Sequence, residues 1–202
     1  MSLHLLAEIT VAGASEISAA DVAEADSVAV GVLIIRVVIG TAFAAHGYFK
    51  FFKGGKIAGT ARWFDGMGMK PNGTIHAYLA ATTELVAGTL FALGFLFPLA
   101  AAAIVGQMLV AGYTANRAAG FWSANKGWEL NLVLATVAVG AATIGPGEYS
   151  VDHVLELSQS FDPNVGLGVS LFLGIAAGAA VIVGCYRPPT PEPDPAPAGG
   201  ED

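Results

Sequence analysis

Five stretches of the chain are apolar over lengths that suit a bilayer, and the polar positions within and between them set the order of the rest. The first, residues 28–52, reads VAVGVLIIRVVIGTAFAAHGYFKFF, and as far as Phe49 it carries one charge, Arg36. At a rise of about 1.5 Å per residue such a run crosses a hydrocarbon core of about 30 Å, so the pattern predicts a transmembrane helix. It closes on His46, Gly47, Tyr48, Phe49 and Lys50, rings and a cation suited to the headgroup level. Further apolar runs extend from Ile75 to Phe97 with one acid, Glu84; from Leu99 to about Ala118 with Gln107 inside; from Glu129 to about Gly145; and from Val165 to Tyr186. Pro98 forces a tight turn between the second and third runs. Between the first two runs Ile57, Ala61 and Phe64 recur at helical spacing among Lys53, Lys56 and Arg62. That pattern predicts an amphipathic helix near residues 55–67, lying in the interface and stopped by Gly66 to Gly68 and Pro71.

Composition narrows the class. The chain is 54% hydrophobic and 12% charged, against roughly 25% charged in soluble domains, which makes it an integral membrane protein. Its many glycines fit that class, because small residues let membrane helices approach closely. Gly174 and Gly178, at GxxxG spacing in the fifth run, suit packing inside a bundle or between two copies in a homo-oligomer. The net charge of −7 is concentrated at the chain ends. Residues 1–27 hold acids but no Lys or Arg and read as an acidic tail, partly helical through Leu5, Leu6 and Ile9, without the basic and apolar regions of a signal peptide. Residues 187–202 are Pro-rich and acidic and read as an extended, disordered tail. Nothing here predicts binding to nucleic acid. The single cysteine, Cys185, excludes an intramolecular disulfide and a cysteine-ligated cluster, and reads as a packing residue.

With five spans, the bases of the first loop (Lys50 to Lys70), those of the third loop (Arg117, Lys126) and Arg187 all fall on one side, and none on the other. The positive-inside rule then sets the N-terminus outside and the C-terminus in the cytoplasm, in a multi-pass protein of the plasma (inner) membrane. Counting depth from the ends of the apolar runs puts Arg36 about 12 Å below the outer edge and Glu84 about 13 Å above the inner edge. In a core of about 30 Å that leaves them about 5 Å apart in depth, with Gln107 level with Arg36. An ionisable group at such depth calls for a partner, and the expected one is Arg36 with Glu84. Three readings of the layer stay open: a neutralising pair that pins two helices, a ligand or quinone pocket, and a proton path.

A second polar layer is expected at the cytoplasmic edge, from His46, Lys50, His76, Tyr113, Asn116 and Glu129. The histidines lack a second ligand at helical spacing, so no metal site is expected; interface anchoring is the favoured role, with hydrogen bonding to a quinone headgroup beside it. Ser150 and Asp152, after Gly145-Pro146-Gly147, are expected to cap the short helix that follows.

Several of these elements occur in a recognisable order. An Arg in a first helix ending HGYFK (His46 to Lys50), a basic loop closing on GMGMKP (Gly66 to Pro71), a mid-helix Glu84 with Gly88, Glu129 opening the fourth run, and GPG followed by Ser150 and Asp152 resemble the DoxX family. The resemblance covers about Leu33 to Asp152. It implies an all-α, polytopic transmembrane bundle with a four-helix core over residues 28–157, to which this chain adds a fifth, Gly-rich helix at 165–186. It also implies kinship with a membrane subunit of a thiosulfate:quinone oxidoreductase, and a polar set of Arg36, His46, Lys50, Glu84 and Glu129, beside which Gln107 stands as a pocket candidate. The expected role is therefore a quinone-pocket or membrane-anchor subunit of a redox system, with other membrane or redox proteins as partners, no covalently bound cofactor and quinone as the ligand. The other class is a non-catalytic assembly or supernumerary subunit, or a small transporter. Without a cofactor motif of its own, the chain is not expected to act as an autonomous enzyme.

Overall fold

The computed structural model describes residues 19–189 and is all-helical in its regular elements, a helical membrane bundle. Residues 1–18, with the expected helical turns at Leu5 to Ile9, and residues 190–202 of the expected tail lie outside the described residues. Three helical stretches are long and apolar enough to cross a membrane: Ala20–Phe52, Phe97–Ala119 and Pro163–Cys185.

The first helix, α1 (Ala19–Phe52), is longer than its apolar run. Residues 19–27, expected in an acidic tail, extend it instead, since Ala, Asp and Glu continue a helix without a break and Asp21 sits at the favourable N-terminal end. After Gly54 and Gly55 the chain turns into α2 (Lys56–Met67), which ends where Gly68 adopts the left-handed conformation at φ 87° and Met69 N–H donates to Phe64 O. The apolar face of α2, Ala61 and Phe64, is buried against α3 rather than turned to lipid, and packs with Met69, Ala77 and Ala80.

Asn72 caps α3 (Gly73–Leu93) by accepting from Ile75 N–H at 3.1 Å, and Gly94, again left-handed, closes it. Pro98 at the start of α4 (Phe97–Ala111) allows the reversal, because its missing N–H falls where a helix has no acceptor to offer. A π-helical stretch, Gly112–Asn116, and a 3-10 turn carry α4 on to Ala119. Next come α5 (Glu129–Ile144), the single turn α6 (Val151–Val154), and α7 (Pro163–Cys185), which contains a second π-helical stretch at Val169–Leu173.

Small residues set the register of the bundle. Gly40 and Gly47 on α1 lie so close to α3 that an added Cβ would come within 2.5 Å of Ala92 N and of Leu85 N, respectively. The two helices therefore run antiparallel in backbone contact. Gly106 on α4 meets Gly174 and Gly178 on α7 in the same manner, so the GxxxG pair packs inside the bundle. The main core, with Phe43, Phe91, Phe97, Ile104 and Ala138, fills the space among α1, α3, α4 and α5. At the basic end, Lys70 N–H donates to Cys185 O at 2.8 Å and Arg187 N–H to Gly68 O at 2.9 Å, tying the end of α7 to the turn after α2.

Candidate functional site

The antiparallel register decides which polar groups meet. Gly40 beside Gly88 and Ala92, and Gly47 beside Ala81 and Leu85, put Arg36 level with Gly94 and leave Glu84 about 15 Å further along the bundle. The expected Arg36 to Glu84 pair is therefore not formed, nor is Gln107 level with Arg36. Val28 does not mark a membrane edge shared with the neighbouring helices, because α1 overshoots the end of α3 by about half its length.

Arg36 instead organises the end of the bundle where α3 turns into α4. Its side chain is 1% exposed. Nη1 donates to Pro146 O at 2.6 Å and Nη2 to Tyr149 O at 2.7 Å, so the guanidinium fork holds the loop after α5. Gly94 is required beside it: its φ is +65°, and a Cβ there would sit 1.9 Å from Arg36 Nη1. Asp152 completes the knot. Its carboxylate accepts from Leu96 N–H at 2.8 Å and Phe97 N–H at 2.9 Å, so it caps the N-terminus of α4 across the fold. Ser150 does cap the following turn, accepting from His153 N–H at 3.1 Å; Asp152, expected to share that role, serves the other helix. Tyr149, outside the spans, has its phenol pushed above its ordinary range by its hydrogen bond to Glu148.

The second polar cluster lies at mid-bundle. Lys50 Nζ pairs with Glu84 Oε2, and Gln107 Nε2 donates to Glu84 Oε1 at 3.3 Å, which joins α1, α3 and α4 through one carboxylate. Lys50 belongs here because Arg36, Phe43 and Lys50 recur every seven residues and thus share one stripe of α1, the stripe that faces α3. That spacing was the available signal for the Lys50 to Glu84 pair. The cluster lines a cavity of about 390 Å³. Trp63 and Phe64 of α2, Thr83 of α3, Thr114 beyond α4, and Ala177, Gly178 and Val181 of α7 complete its wall. Volumes of this order suit small-molecule sites, which are commonly apolar with a few converging polar groups.

The other expected residues lie elsewhere. His46 is exposed on α1. His76 is buried, and its Nε2 is hydrogen-bonded at 2.7 Å to Lys70 O, so it braces the turn after α2 as well as lining the cavity. Glu129 accepts from Ser123 N–H and Oγ–H, each at 2.9 Å, and shapes the loop before α5 rather than the cavity. The described residues hold no group of three or more His, Cys, Asp or Glu able to bind a metal.

In chemical terms the cluster combines a carboxylate with donors left over. Lys50 has three N–H donors and Gln107 two, and Glu84 occupies one of each. The rest remain for a ligand in the cavity, and the carboxylate is a proton acceptor beside them.

A comparison with curated proteins and one with solved structures give no match. The DoxX family model matches residues 31–117. The match includes Arg36, the HGYFK end of α1, the GMGMKP turn, Glu84 with Gly88, and Gln107; Glu129 and the Gly145 to Asp152 knot fall outside it, as does α7. The chain is thus a helical membrane protein in which residues 31–117, the Lys50, Glu84 and Gln107 cluster among them, are similar to the DoxX family.

Proposed function

We propose that the protein is a quinone-binding membrane subunit of a redox system and that its pocket is the cavity beside Lys50, Glu84 and Gln107. The observation that carries this reading is one buried carboxylate, engaged by an ammonium and an amide from two other helices, on the wall of an otherwise largely apolar cavity of about 390 Å³. Lys50 Nζ and Gln107 Nε2 donate to a carbonyl oxygen of the quinone head, and Trp63 offers a ring for stacking. The Lys50 and Glu84 pair relays both protons to the reduced head, each replaced from water. Reduction of a quinone to a quinol takes two electrons and two protons. The electrons come from a partner oxidoreductase, since the one cysteine, Cys185, has no second thiol with which to form a redox pair.

The orientation supported by the distribution of bases puts the N-terminus outside and the Lys50 to Lys70 segment in the cytoplasm of a cell with this protein in its plasma membrane. The partner then docks at the basic end.

The test is purification in mild detergent, followed by mass spectrometry of the co-purifying proteins and of extracted lipids and quinones. Stoichiometric quinone in the wild type, lost in Glu84→Gln and in Lys50→Met, supports the reading. A quinone-free wild type contradicts it and leaves the ion pair as a packing device in an assembly subunit or a transporter.

A further inference from the structure

A larger groove, of about 840 Å³, opens on the opposite side of α4, between α4, α5 and α7. It is independent of the quinone cavity: apart from its wall helices it shares no polar group with Lys50, Glu84 or Gln107. Its floor is almost wholly apolar, with Thr136 its one polar residue at depth, and Tyr113, Arg117, Trp128 and Asn131 line it at the basic end of the bundle. Both π-helical stretches, Gly112–Asn116 and Val169–Leu173, contribute lining residues to it.

Arg117 marks the kind of occupant. Its guanidinium carbon stands 4.2 Å over the Tyr113 ring centroid. Among the described residues it has no carboxylate partner. A cation held by a ring at the end of an apolar groove, with Trp128 beside it, matches an amphiphile with an anionic head. The depth of the groove fits the same occupant. From Asn131 to Gly140 the groove follows α5 for about 14 Å, close to half of a hydrocarbon core of about 30 Å. That is the reach of an acyl chain entering from one leaflet, whereas a partner helix would need a groove running the full thickness.

We propose that this groove is a specific site for an anionic phospholipid, with an acyl chain along α5 and the phosphate against Arg117. Nothing in the quinone reading requires it, and either stands if the other fails.

Trp128 reports on the site directly. The protein with Trp63→Phe and Trp122→Phe, leaving Trp128 as its only indole, is reconstituted into phosphatidylcholine vesicles containing a small fraction of brominated phosphatidylglycerol or brominated phosphatidylcholine. One basic residue near a membrane surface favours an anionic lipid by roughly fivefold, so the brominated phosphatidylglycerol is expected to half-quench Trp128 at roughly one-fifth the fraction of its zwitterionic counterpart. Arg117→Gln should abolish that preference and Arg117→Lys retain it, which separates charge from folding. Gly140→Leu, at a position where a Cβ meets nothing within 4 Å, fills the groove without striking the backbone and should reduce quenching by both lipids. Equal quenching by the two lipids in the parent protein would overturn the proposal, as would an unchanged preference in Arg117→Gln.

Discussion

Lys50 and Glu84 pair two helices of the bundle on the wall of the cavity. Removing either partner strands a charge inside the bundle, so Lys50→Met should lower stability in detergent by about 3 kcal/mol. The double variant Lys50→Met/Glu84→Gln, which removes both charges, should recover most of that loss on thermal unfolding while still failing to retain quinone. Arg36 behaves differently. Arg36→Leu leaves the carbonyls of Pro146 and Tyr149 without their donor and should cost about 2 kcal/mol or more, and Arg36→Lys should not rescue it, since a single ammonium cannot reproduce the fork. Quinone retention should be unaffected in both, because that knot lies about 15 Å from the cavity along the bundle. That Arg36, Glu84 and Gln107 each need a polar partner was legible from their place in apolar runs. Who partners whom was not, because it depends on helix register, and register is set by where glycines permit contact rather than by where apolar runs begin.

The element that carries this register is the α1 to α3 pair. Gly40 and Gly47 place the two backbones in contact, and only their neighbours in space distinguish them from other helix glycines. Gly40→Ala would drive a Cβ to 2.5 Å from Ala92 N and should cost about 1–3 kcal/mol, whereas Gly31→Ala, on the same helix with nothing within 4 Å, should not destabilise. Comparing the two by thermal unfolding in one detergent isolates the contact from helix propensity. The fifth helix has a similar role: α7 meets α4 at Gly106 and supplies a wall of the cavity. Its Gly-rich pattern was visible as a packing signal. Its part in the cavity was not, since that arises from the fold placing residues 177–181 opposite Gln107.

For the whole molecule, the helical membrane class followed from hydropathy alone, and five helical stretches appear where five apolar runs were seen. The boundaries differ where side-chain apolarity and helix propensity part, as in residues 19–27, which are acidic yet helical. Orientation belongs to this scale and is open to a direct check. In a Cys185→Ser background, a cysteine at His153 is expected to react with a membrane-impermeant maleimide in intact cells, and one at Asn125 only after permeabilisation; the reverse pattern would invert the topology. The central claim, that the cavity beside Glu84 holds a quinone head, is tested most directly by photolabelling. The purified protein is cross-linked with an azido-quinone, and the modified peptides are mapped by mass spectrometry. Labelling should concentrate in residues 79–84 and 102–114, be competed by unmodified quinone, and disappear in Glu84→Gln. Labelling confined to the groove along residues 131–140, or labelling that unmodified quinone does not compete, would contradict the account.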